Sequence, residues 1–214
     1  MFDTIAMDEL HDMVDALSAA LEAKSAYTCG HSERVAEISL LLARQMDLPL
    51  REQTRIHIGA HLHDIGKIGI PDAILDKPGR LTPAEFAVIK KHPEIGGQIV
   101  NKARWFQSVV DIVRNHHERY DGGGYPDKLR KNEISLAARI VAVADAFDAM
   151  TSPRPYRAAR SAKMAVEEML RCSGTQFDPA AIAALVEAMD AGKLAIYGCG
   201  RLEHLICRAD WALG

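Results

Sequence analysis

The chain has 214 residues, 48% of them hydrophobic and 26% charged, with a formal net charge of −3. That length supports one sizeable core rather than two, the charge leaves no global basic field for DNA, and no apolar run approaches membrane-spanning length. The opening residues, MFDTIAMDELHDMVDAL, lack a basic segment followed by an apolar core, so no signal peptide and a cytoplasmic location are expected. Residues 8–24 carry Leu10, Met13, Val14, Leu17 and Leu21 on one stripe and predict an amphipathic helix. Residues 31–47 repeat the pattern with Val35, Ile38, Leu41 and Leu42, and residues 51–64 form a third helix stopped by Gly66. GKIGIPDAILDKPGRL then reads as a loop rich in Gly and Pro. Thr82-Pro83-Ala84-Glu85 is a capping box with Pro at the first helical position. Further helices are predicted over 95–101, 107–118, 136–151, 162–172 and 179–189, the last announced by Asp178-Pro179. No alternating strand pattern of useful length and no repeat occurs, so the fold class is all-α.

The four cysteines, Cys29, Cys172, Cys199 and Cys207, form no CxxC pair and read as reduced thiols. Cys199, His204 and Cys207 fit no standard zinc spacing. A different set carries more chemistry. His31, His63, Asp64, His92, His116, His117 and Asp145 each lie on or beside predicted helices that could face one another. Helical bundles build core metal sites in this way, from inward-facing side chains on different helices. Singly, a residue such as His31 or His92 reads as well as a packing histidine. The adjacent pair His116-His117 would point ~100° apart on a helix, so one ion touches both only near a helix end.

The joint pattern is more specific. HSERVA (31–36), HDIGKIGIPDAILDKPGRLT (63–82), KHPEIG (91–96), HHERYDGGGYP (116–126) and RIVAVADAFDAMTSPRPYR (139–157) occur in one order. In these segments the chain resembles the HD-GYP family, metal-dependent phosphodiesterases of cyclic dinucleotides within the HD hydrolase superfamily. HDIGK points only to the superfamily, and the GYP and RPYR segments narrow it.

The resemblance implies a single helical HD-type domain over 27–190 with a metal site in the bundle core. It leaves 1–26 as an N-terminal linker or dimer helix and 191–214 as a tail of unassigned role. It implies two divalent ions bridged by Asp64, one held by His31, His63, Asp64 and Asp145, the other by Asp64, His92, His116 and His117. Five imidazoles and two carboxylates are too nitrogen-rich for magnesium or calcium, and hydrolysis needs an open position for water. Iron or manganese therefore fits first, with nickel and zinc behind them. The implied activity is hydrolysis of cyclic di-GMP to linear pGpG and onward to GMP, with cyclic GMP-AMP as the alternative substrate and a docking module as the non-enzymatic alternative.

Lys67 matches the family lysine that faces the phosphate. Arg154 and Arg157 match positions contacting the dinucleotide, Tyr125 would line the pocket, and Gly123 and Gly124 would let the backbone approach the ligand. Asp148, three residues after Asp145 on the same face, is placed to accept a hydrogen bond from a ligand histidine. Implied partners are the cyclic dinucleotide, a second copy of the chain and a cyclic-dinucleotide synthase (GGDEF) domain. Three departures stand out. Tyr27 occupies the place of a Glu that holds a third metal in some members, so two ions are expected. Lys128 and Lys131 stand where the family often has glycine, which bears on loop shape. His57 and His61 share a helix face at i,i+4 but match no family ligand, and read as packing residues or supports for a ligand.

Overall fold

The computed structural model describes residues 7–24, 30–153 and 159–194. Ten α-helices occur among them: α1 (Met7–Lys24), α2 (His31–Gln45), α3 (Leu50–Leu62), α4 (Asp72–Leu75), α5 (Pro83–Ile89), α6 (His92–Val100), α7 (Val110–Asn115), α8 (Leu136–Thr151), α9 (Ala162–Arg171) and α10 (Pro179–Asp190). Tight 3₁₀ turns cover Ile65–Gly69, Arg104–Val109 and Lys131–Glu133. The described residues contain no β-strand, only an isolated bridge between Ser173 and Phe177, so the all-α expectation holds.

Apolar periodicity explains the packing. On α2, Val35, Ile38 and Leu42 are fully buried, and on α8 Ile140, Val141, Val143, Ala144 and Phe147 form the matching face. These two helices and α3 enclose the main core, with α7, α9 and α10 packed around them. The predicted caps form. Thr82 Oγ1 accepts from Glu85 N–H at 3.3 Å, while Thr82 N–H donates to the Glu85 carboxylate at 2.7 Å. Asp178 Oδ1 accepts from Ala180 N–H at 2.9 Å to open α10.

On α1, Leu10, Val14 and Leu21 join the chain's own core, whereas Met13 and Leu17 remain exposed. The stripe therefore serves core packing first. No described helix is long and apolar enough to cross a membrane.

The differences from expectation cluster around the site. The third helix ends at Leu62 and not at residue 64, because the chain tightens into the 3₁₀ turn that follows Asp64. The expected loop after it contains that turn and the short α4. The helix predicted over 107–118 is split, a 3₁₀ stretch giving way to α7, which stops at Asn115. The helix predicted from residue 95 begins three residues earlier, at His92.

Candidate metal centre

His31 opens α2, His63 caps α3, Asp64 stands at the head of the 3₁₀ turn, His92 opens α6, His116 and His117 follow the end of α7, and Asp145 lies on α8. Nearly every one of these residues sits at a helix end. There the backbone turns and adjacent side chains can converge, as the pair His116-His117 requires; their ring centroids are 4.2 Å apart.

Asp64 is the hub. It is 2% exposed; its Oδ1 lies 3.3 Å from His92 Nε2, and its Oδ2 lies 3.4 Å from His63 Nε2 and 3.8 Å from His31 Nε2. Lys67 Nζ also contacts Oδ2. Burial alone would raise the Asp64 carboxyl, yet Lys67 and the surrounding imidazoles hold it well below the usual carboxylate range. Two clusters share this carboxylate, Asp64 with His92, His116 and His117, and Asp64 with His31 and His63; within each, the ligand atoms lie within 4.8 Å of one another. Asp145 joins from α8, its Oδ1 3.4 Å from His31 Nε2.

The tautomers test whether a cation fits. Nδ1 of His63, His92 and His116 lies 2.6, 2.8 and 2.9 Å from the backbone carbonyls of Ala60, Ile89 and Val113. A carbonyl only accepts, so each Nδ1 carries the proton and each Nε2 presents a lone pair. His92 Nε2 and His116 Nε2 then face each other at 3.3 Å, and the buried His63 Nε2 has no hydrogen-bond partner. Buried lone pairs aimed at one another beside a carboxylate are a donor set without its acceptor, and a divalent cation supplies one. Burial and neighbouring imidazoles also keep His116 well below its ordinary pKa, in the neutral form that ligates.

His31 is fixed differently. Its Nδ1 donates to Asp148 Oδ2 at 2.7 Å, and Arg34 Nε holds the other oxygen of Asp148 at 2.6 Å. Burial works against a charged His31, but the hydrogen bonds to Asp145 and Asp148 outweigh it and raise its pKa to about 9. Asp148 thus takes the place its spacing suggested. Arg34 was not singled out from sequence, although its position three residues after His31 puts both on one helix face.

Glycine decides two of the approaches. A Cβ on Gly66 would lie 1.8 Å from the His92 carbonyl oxygen and 2.5 Å from Gly96 N. Gly66 of HDIGK therefore lets the Asp64 turn press against the start of α6 and brings His92 to Asp64. In the GYP segment, a Cβ on Gly124 would lie 2.3 Å from Arg119 N and 2.5 Å from Glu118 Cα. Gly124 is buried against its own loop, so close packing of 118–124 gives it a structural requirement beyond any ligand; Gly123 is exposed. Glu118, also absent from the sequence reading, pins this loop by accepting from Asp127 N–H at 2.6 Å and Lys128 N–H at 2.9 Å. The Tyr125 ring lies 5.0 Å from that of His117, at the edge of the centre.

A cavity of about 490 Å³, within the range of small-molecule sites, adjoins the centre and is lined by His117, Arg119, Asp145, Met150, Gln176 and Phe177 among others. Arg154, Arg157, Tyr27 and the tail beyond residue 194 lie outside the described residues, as do Cys29, Cys199, His204 and Cys207. Cys172 is a free, half-buried thiol.

Comparison with known proteins follows the same lines. The sequence model of the HD domain matches residues 15–181. A 3'3'-cGAMP-specific phosphodiesterase of Vibrio cholerae is 42% identical over 181 residues, covering 85% of this chain and 39% of that protein. A cyclic di-GMP phosphodiesterase of Pseudomonas aeruginosa is 39% identical over 216 residues, covering 94% of this chain and 51% of the relative. The chain thus spans about half or less of the length of these relatives. An HDG"Y"P protein from Bdellovibrio bacteriovorus superposes with a TM-score of 0.62 at 24% identity, covering 82% of this chain and 57% of that one, a likeness of fold.

Proposed function

This chain belongs to the HD-domain family, and from that premise we propose that it is a metal-dependent phosphodiesterase of the HD-GYP branch, opening cyclic di-GMP to linear pGpG and onward to GMP. The observation that carries the reading is the convergence of imidazole lone pairs on the Asp64 carboxylate, with His92 Nε2 and His116 Nε2 3.3 Å apart. His31, His63, Asp64 and Asp145 would hold one ion, and Asp64, His92, His116 and His117 a second. Iron or manganese suits this mixed set best, with nickel or zinc next. Bound there, divalent ions supply positive charge toward the phosphodiester and acidify the attacking water.

The protein's own groups do the rest. Asp148 and Arg34 orient His31 by fixing its Nδ1 proton. Lys67 Nζ, beside the Asp64 carboxylate and partly exposed, faces the substrate phosphate and gives a proton to the departing ribose oxygen. Arg154 and Arg157 grip the dinucleotide, and Tyr125 lines the cleft with Gly123 and Gly124 behind it. A second copy of the chain and a GGDEF-type synthase domain are further proposed partners.

The identity to a cGAMP-specific relative favours a second reading, with cyclic GMP-AMP as the substrate of the same centre. Product analysis decides. Protein purified without air and supplied with Fe²⁺ or Mn²⁺ should convert cyclic di-GMP to pGpG. Turnover of cyclic GMP-AMP alone selects the second reading. No hydrolysis of any cyclic dinucleotide by the metal-loaded protein refutes both.

A further inference from the structure

A second group of metal-ligating side chains lies away from this centre, on the opposite side of α3. His57 and His61 are four residues apart on α3 with ring centroids 4.7 Å apart. α1 brings His11 alongside, its ring 5.4 Å from that of His57 and 5.6 Å from that of His61. One ligand nitrogen from each of the three can be chosen so that all lie within 4.8 Å of one another. His61 and His63 are two positions apart, about 200° around the helix, so this cluster and the Asp64 centre face different ways.

Packing alone does not account for three imidazoles in one place. His57 is 6% exposed and His61 5%, and His57 Nδ1 is buried without a hydrogen-bond partner. A buried polar nitrogen with no partner is a net cost that an aliphatic side chain would avoid. The Asp15 carboxylate, one turn beyond His11, stands 3.6 Å from His11 Nε2 and adds negative charge at the mouth of the cluster. Around it α1 is already seated, with Leu10, Val14 and Leu21 in the core and Ser18 Oγ donating to the His61 carbonyl at 3.2 Å.

We propose that His11, His57 and His61 form a further metal site, suited to a zinc-like transition dication, that clamps α1 onto α3. Three imidazoles are a nitrogen set for Zn²⁺, Co²⁺ or Ni²⁺ and disfavour Mg²⁺ and Ca²⁺, which require oxygen. Two ligands come from one helix and the third from another, so an ion there ties the two elements together. Lys24, at the end of α1, also pairs with Asp72 at the start of α4 at 2.8 Å. The clamp thus stabilises the entry to the domain without touching the Asp64 centre.

Equilibrium dialysis of the metal-stripped full chain against Zn²⁺ tests this. The unaltered protein should bind one equivalent more than His11→Ala or His57→Ala, with affinity for that equivalent falling at least about tenfold in each variant. Zn²⁺ should also slow amide exchange across residues 7–24 in the unaltered chain and not in His11→Ala. The His11 side chain is 32% exposed, so that variant keeps the test decisive even if His57→Ala fails to fold. Equal zinc binding by His11→Ala and the unaltered chain, or equal protection of α1 in both, would overturn the proposal.

Discussion

At Lys128 the backbone holds φ at 56° and at Lys131 at 49°, the left-handed region where a side chain is strained and glycine is not. Lysines in place of the family's frequent glycines could be expected to reshape this loop. They instead adopt the conformation that glycine favours, and Glu118 anchors the backbone by accepting from Lys128 N–H at 2.9 Å. Lys128→Gly should therefore raise stability by about 0.5–1 kcal/mol in denaturant unfolding, without altering metal content. Glu37 shows a different strain. Burial and the neighbouring Glu33 push its carboxyl up to about 7, and its Oε2 is buried without a partner. The folded chain thus binds more protons than the unfolded chain between the ordinary carboxylate range and about pH 7, so stability falls as pH rises through that window. Glu37→Gln should stabilise by about 1 kcal/mol at pH 8, allowing for solvent screening, and bring no gain at pH 4. Thermal melts at the two pH values measure the difference.

Among the elements, the contact between the Asp64 turn and α6 does most to assemble the centre. Gly66 leaves room for the His92 carbonyl, and Gly96, in turn, lies under Val113 of α7. Gly66→Ala should push α6 off the turn, cost about 3 kcal/mol in urea unfolding, and lower metal content by parting His92 from Asp64. Retained metal and stability would show that the turn and helix can separate without consequence. This contact was only half legible in the sequence. Gly66 was visible as a helix stop and as part of HDIGK, but a local pattern does not reveal which distant carbonyl needs the space. The same limit explains α7. Its apolar residues Ile112 and Val113 are buried as the periodicity implied, yet the helix ends at Asn115 so that His116 and His117 can turn toward one point.

Across the whole molecule, the amphipathic stripe of α2, the helical pattern over α8 and the cap signals at Thr82 and Asp178 made the all-α architecture readable, since those signals are local. The residues that could hold metal were readable because the motifs occur in one order, not because any one of them is decisive. Arg34 acts through Asp148, far along the chain, and Glu118 through backbone N–H groups at 127–128 whose approach depends on how the loop folds back, so neither leaves a local pattern. The His11 group escaped for the same reason: His57 and His61 announced a shared face, and only the packing of α1 supplied the third imidazole. The central claim is that one carboxylate, Asp64, joins the two imidazole groups into a single centre. Metal analysis of the unaltered protein and Asp64→Ala, both purified without air, tests it most directly. The account predicts that the variant stays folded and loses close to two metal equivalents per chain, together with hydrolysis of cyclic di-GMP; a folded Asp64→Ala that keeps its full metal content and activity would contradict it.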